Sequence, residues 1–300
     1  MTSSLAHDDE CGIANRIMQG DATVTLRGIA SDTVDLVLTD PPYLVGYRDR
    51  SGRTIRNDTN AAAVLPAYRE LYRVLKADRY CLTFAGWNHI ADFSAAWVEA
   101  GFRVVGQIVW TKRYASSVGH TAAHHESAWL LAKGWPERPA KPIRNVQPWT
   151  YSGNRVHPTE KAVAILRPMI ESFSKPGDLI LDPFSGSGST AVAAALSGRR
   201  YLGIELEERY CETARRRLQG VERFARGDAA CRKGASAFLF SCLMRPGDGD
   251  AAPPGGSGGI PQKTGRLPAE VRPLRSACAP VAPGQQSTLA CARFGSEEWR

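Results

Sequence analysis

The sequence predicts an α/β protein built on a doubly wound, mostly parallel sheet. Up to about residue 226, strand-like and helix-like stretches alternate, the pattern of successive βαβ units. The run Val34 to Leu38 is short, β-branched and bounded by polar residues, as expected of a buried strand. Finally, the glycine turn Gly186-Ser187-Gly188 joins an apolar run to a helical one, the junction at which such sheets hold nucleotides.

Each element can be justified in order. The run "VDLVLT" ends in Asp40-Pro41-Pro42-Tyr43, and neither proline can donate to a ladder, so the strand stops there. A polar loop, "RDRSGRTIRNDTN", leads to a helix in "VLPAYRELYRVLK", with Leu65, Tyr68, Leu71, Tyr72 and Leu75 on one face. "YCLTFAG" is a second strand. Asn88 is placed to cap the helix through "ADFSAAWVEA", and Gly101 to end it. "FRVVGQIVW" and "HESAWLLAKG" read as further strands, with irregular segments rich in Pro, Arg, Trp and His between them and over 135–153. A helix over 160–173, the strand "DLILD", a helix over 188–197 closed by Gly198, the strand "RYLGIEL" and a helix over 207–218 complete the pattern. At the end of that last helix, "RRRL" would complement the helix dipole. From Arg245 onward, seventeen of 56 residues are Gly or Pro. Such composition cannot bury enough apolar surface to offset its ordering entropy, so the expected organisation is a domain over 1–230 and a mostly disordered tail over 231–300.

A formal net charge of +8 points to a polyanionic partner, nucleic acid first. The first ten residues carry neither a basic nor an apolar leader pattern, and no apolar run approaches the ~20 residues of a membrane span. Seven scattered cysteines include no C-x-x-C pair, which argues against a disulfide framework or a zinc site. The expectations are a cytoplasmic protein, no membrane and no metal. His124 and His125 do not alter this, since adjacent strand residues face opposite ways.

The glycine turn carries the most chemistry. Gly186, Gly188 and Ala191 fit G-x-G-x-x-A, and the next strand ends in Glu205, about 20 residues beyond Asp182. An acidic side chain there is placed to bond both ribose hydroxyls of an adenosine. Asp182, at the preceding strand tip, would repel a pyrophosphate but accept hydrogen bonds from an ammonium. That favours S-adenosylmethionine over NAD.

"DPPY" before "DPFSGSGST", with "IVWTK" and "HPTEK" between them, resembles the β-type amino-methyltransferases of DNA from about Met18 to Leu218. The resemblance implies a sheet of the S-adenosylmethionine-dependent methyltransferase type. It implies transfer of a methyl group to adenine N6 at a specific site in double-stranded DNA, with cytosine N4 as the alternative. By carry-over, Asp40, Pro41, Pro42 and Tyr43 form the catalytic motif, and Asp40 also borders the cofactor. Asp182, Phe184, Gly186, Gly188 and Glu205 belong to the cofactor motifs. His157, Thr159 and Lys161 lie in the segment that closes over the cofactor's methionine part, and Asp21 lies near its adenine. Lys112, Arg113, Arg144 and Arg155 are the implied DNA contacts, at or near the edges of a target-recognition segment over 113–153. The resemblance leaves open a homodimer and a restriction endonuclease partner. "LKADRY" and "HPTEKA" depart from the family's usual "LKPGG" and final proline, both as local turn variation.

The motif's chemistry follows from the amine. A base amine is a poor nucleophile because its lone pair is delocalised into the ring. Asp40 can accept one N–H and the Pro41 carbonyl the other, localising the pair as charge develops. Tyr43 offers a stacking face for a base extruded from the duplex. Rival readings explain less. A glutamine methyltransferase would call for Asn rather than Asp40, a dehydrogenase leaves "DPPY" and "HPTEK" idle, and a non-catalytic DNA-binding module needs neither motif.

Overall fold

The computed structural model describes residues 12–226 of the chain, apart from 50, 51, 119 and 155. The chain runs through β1 (Arg16–Gln19), α1 (Ala22–Thr25), β2 (Val34–Thr39), α2 (Ala61–Val64), α3 (Ala67–Val74) and β3 (Leu75–Phe84). It continues through α4 (Ile90–Ala100), β4 (Arg103–Thr111), β5 (His125–Lys133), β6 (Val146–Pro148) and α5 (Val163–Phe173). β7 (Leu179–Asp182), α6 (Ser189–Leu196), β8 (Arg200–Glu205) and α7 (Glu208–Ala225) follow.

Eight strands form one sheet in the order β1-β8-β7-β2-β3-β5-β4-β6. All pairings are parallel except those of β5, which runs antiparallel to both β3 and β4. The sheet is doubly wound, as its sequence implies. Apart from Asp35, which is buried and paired with Lys76, successive residues of β2 up to Leu38 show why its run is apolar. Leu36 and Leu38 join the core under α5, α6 and α7, while Val34 and Val37 join the core under α3 and α4. A sheet covered on both faces favours apolar residues on both. In the second core, Tyr68 of α3 meets the rings of Phe93 and Trp97 of α4 edge-on, at 6.2 and 6.0 Å.

Several boundaries differ from the sequence reading, each for a local reason. The helix expected over 64–76 is two, α2 and α3, and it stops at Val74 because Leu75 pairs with Val34 in the sheet. Asn88 lies inside a 3-10 turn, and α4 starts from His89 without a side-chain cap. Gly101 does end α4, at φ 103°. The helix expected from residue 160 begins at Val163, because Glu160 and Lys161 point into the site. The helix expected to end at Leu218 continues to Ala225, burying Leu218 and Val221. "RRRL" is therefore mid-helix and does not face the helix end. β1, α1 and the three-residue β6 had no sequence signal strong enough to announce them. The tail expected over 231–300 lies outside the described residues. Among the described residues, no helix is long and apolar enough to cross a membrane.

Candidate active site

β2 and β7 lie side by side and parallel at the centre of the sheet. Their carboxyl ends deliver Asp40 and Asp182 to one cavity, although the two motifs are far apart in the chain. Thr39 Oγ1 donates to Asp182 Oδ1 at 3.0 Å across that pair. The cavity is lined by Asp40, Phe84, His157, Lys161, Asp182, Gly186 and their neighbours. Its position at strand ends, where the chain passes from one side of the sheet to the other, is the usual ligand crevice of open α/β sheets.

At the end of β2, Pro41 is buried and Asp40 half-buried. Tyr43 Oη donates to Asp40 Oδ1 at 2.9 Å, and Lys161 Nζ donates to Asp40 Oδ2 at 2.7 Å. The Tyr43 hydroxyl is thus tied to the motif's own carboxylate, in addition to any role of the ring. Burial raises the Asp40 pKa while Lys161 opposes it. Burial, then the Asp40 charge, push Tyr43 well up, so its hydroxyl stays protonated as a donor. Just beyond, Leu44 sits at φ 65°, a costly conformation for a bulky residue. Asp58 holds it there: this buried carboxylate accepts from Leu44 N at 2.9 Å and from Tyr47 N. Sequence reading gave Asp58 no role.

At the end of β7, Gly186 and Gly188 take φ of 51° and 80°. A Cβ on Gly188 would lie 2.6 Å from Ala214 Cβ of α7, so glycine is required there twice over. Glu205 accepts from Gly186 N and Glu207 N, both at 2.8 Å, bracing the loop from below. The β1–β8 pairing and a Gly20 N bond to Glu205 O at 2.9 Å bring Asp21 to the same strand end. There Asp21 caps α1 through Thr23 N and Val24 N. Asp182 Oδ1 also accepts from Phe184 N at 3.1 Å. Burial pushes its pKa up to about 7.

The segment 157–161 crosses between the two sides. His157 packs edge-on against Tyr210, with centroids 4.4 Å apart, and its ring would be 3.5 Å from a Cβ on Gly186. Burial, then Lys161, lower its pKa to about 4, so the ring is neutral. Thr159 N donates to its Nδ1 at 3.3 Å. Glu160 pairs with Arg217 at 3.2 Å, and Arg217 Nη1 donates to Ser187 O, Ser187 Oγ and Ser189 Oγ. Arg217 is buried. It is the site-bracing side chain that sequence reading missed most completely, having treated it as part of a basic helix end.

The other expected contacts are dispersed. Lys112 is buried and bonded to Glu126 of β5, with its Nζ 5.1 Å from the Trp149 ring centre. Its ammonium therefore faces a carboxylate and an indole. Arg113 and Arg144 are exposed, and Arg155 lies outside the described residues. The span 113–153 is not one segment: β5 threads through it between β3 and β4, leaving a hairpin over 112–124 and a second stretch over 134–153.

Comparison with known proteins identifies the family. The family model for DNA methylase, covering N6 and N4 enzymes, matches residues 34–216. A protein of Escherichia coli (strain K12) called "Putative methylase YubD" is 51% identical over 216 residues, 72% of this chain and 95% of that protein. "DNA adenine methyltransferase YhdJ" of the same organism is 27% identical, over 72% of this chain and 87% of its own. The crystal structure of an M1.HpyAVI–SAM complex superposes with a TM-score of 0.55 at 25% identity, covering 68% of this chain and 98% of the other. The family match takes in Asp40, the 157–161 segment, the glycine loop and Glu205 in one span: the chain belongs to the N6/N4 DNA methylase family.

Proposed function

We propose that the protein transfers the methyl group of S-adenosylmethionine to the N6 amine of adenine at a specific site in double-stranded DNA. The observation that carries the reading is the side-by-side placement of Asp40 and Asp182 at the ends of β2 and β7. One suits a base amine, the other a cofactor ammonium. The residues fit the cofactor. Asp182 is a buried carboxylate whose desolvation a cationic ligand would relieve, and two left-handed glycines open the loop beneath it. When bound, the cofactor supplies an electrophilic methyl group on sulfur. Asp182 would hold the ammonium, Glu205 the ribose hydroxyls, and Asp21 the adenine end, with His157, Thr159 and Phe184 as walls.

Asp40 then accepts one amine N–H and the Pro41 carbonyl the other. With the cofactor bound, sulfur would leave with the carbon–sulfur pair as a neutral thioether, and the two acceptors would stabilise the positive charge gained by the amine nitrogen until its proton is released to water. Tyr43 and its motif prolines present the stacking face for a base flipped from the duplex. Arg113 and Arg144, with Arg155, would contact phosphates around the site. Adenine is preferred because Asp stands first in the motif, as the resemblance associates with N6 enzymes, and YhdJ is named for adenine. Digesting methylated DNA to nucleosides and analysing them by mass spectrometry tests this: N6-methyladenine is expected, and N4-methylcytosine alone overturns it.

A further inference from the structure

We propose that Lys161 is a positioning residue for methyl transfer: its ammonium fixes the orientation of the Asp40 carboxylate and keeps it an acceptor in a buried, anionic neighbourhood. The inference rests on the reading of Asp40 as the acceptor for the base amine, and it gives Lys161 a task separate from holding the cofactor.

The geometry is two-sided. Lys161 Nζ lies 2.7 Å from Asp40 Oδ2 and 3.4 Å from Tyr43 Oη, while Tyr43 Oη bonds Oδ1 at 2.9 Å. Both carboxylate oxygens are pinned, so the plane of the group is set, and each oxygen keeps a second lone pair for an amine N–H. The Lys161 side chain is 9% exposed. Its ammonium also lies 4.8 Å from the Phe84 ring centre and 5.4 Å from that of Tyr43, which holds the charge between two aromatic faces. Placement is enforced from the chain itself, since Glu160 is anchored to Arg217 and α5 begins two residues after Lys161.

The surroundings explain the need. From its own loop Asp40 faces Tyr43, from β5 Glu126, from the end of β7 Asp182, and from α3 Tyr68. Three of these five groups, counting Asp40, are carboxylates, and Lys112 is already bonded to Glu126. Without Lys161, a desolvated Asp40 beside two other acids would bind a proton, and a neutral carboxyl is a poor acceptor for a developing cation. In the present arrangement burial pulls the Lys161 pKa down, but the surrounding acids, Asp40 first and then Glu126 and Asp182, together outweigh it and the ammonium is kept.

The test uses the full chain with Lys161→Gln and Lys161→Met, and Lys161→Arg as the charge-keeping control. At saturating DNA, kcat should fall about a hundredfold in the first two, with KM for S-adenosylmethionine nearly unchanged. The acid limb of the kcat profile should move up by about one pH unit or more, and Lys161→Arg should restore most of both. Carboxyl 13C NMR supplies a readout that needs no DNA. The Asp40 signal, identified by its loss in Asp40→Asn, should titrate about one unit higher or more in the Gln and Met variants. If one variant loses its cooperative melt, the other carries the measurement. An unmoved Asp40 midpoint, or a large rise in cofactor KM at unchanged kcat, overturns the proposal. Wild-type protein that methylates no DNA would overturn the proposed reaction instead, and the titration would still judge the Lys161–Asp40 coupling.

Discussion

Asp182 is buried, bonded by Thr39 Oγ1 and Phe184 N, and pushed to about 7 chiefly by desolvation. Its ionised form is the one that an ammonium would favour, so cofactor affinity should rise with pH through about 7. Calorimetry at pH 6 should find binding about tenfold weaker than at pH 8. Stability should move the other way. The folded-state pKa lies above the ordinary carboxylate value, so the folded state holds the extra proton between about 4 and 7, and the ligand-free protein loses stability as pH rises through that window. Asp182→Asn should therefore raise the melting temperature at pH 8 by a few degrees while weakening cofactor binding. Asp40→Ala should behave differently, slowing methyl transfer about a hundredfold or more with cofactor affinity little changed. Single-turnover assays beside calorimetry check it. At this scale, the sequence disclosed the residues whose chemistry stands within one short motif. It hid Asp58, Glu126 and Arg217, because an acid or arginine reads as solvated until its partner is known. The Arg217 bond to Ser187 spans 30 residues, and the one from Lys161 to Asp40 spans 121.

Among the elements, the glycine loop and its helix have the least room to change. Gly188 combines a left-handed φ with contact against Ala214 of α7. Gly188→Ala should therefore cost about 2–4 kcal/mol, from the conformational penalty and the forced separation of α6 from α7. Chemical denaturation would read this as a lower midpoint at unchanged slope. The strands and most helices were legible because their apolar periods are strong. β2, β7 and β8 were placed to within a residue or so of their observed ends. Illegible were the elements too short to show a period: β1 with four residues, β6 with three and α1 with four. The late start of α5 was hidden for another reason. Its first expected turn is drawn away by Lys161 and Glu160, whose ion pairs lie in other parts of the fold.

Over the whole molecule, the two motifs that are far apart in sequence, "DPPY" and "DPFSGSGST", become neighbours, because β7 returns to pair with β2. α7 closes the described structure at Ala225. Truncation after Ala230 should leave a cooperatively melting, active enzyme, since the removed composition cannot build a core; loss of that melt in a thermal scan would show the tail to be structural. The β1–β8 ladder has a consequence for how the chain is made. Asn15 and Tyr201, which bond at its foot, are 186 residues apart, so among the described strands the first to be synthesised pairs with the last. β2 can meet β3 as soon as the stretch between them, which carries α2 and α3, has been made, but β1 must wait until β8 is synthesised, and pairing at such separation is slow. A translation product that stops before Arg200 thus contains Asp40, Asp182 and the glycine loop, yet offers β1 no neighbour, and stalled chains of that length should stay protease-sensitive until a few more residues are added.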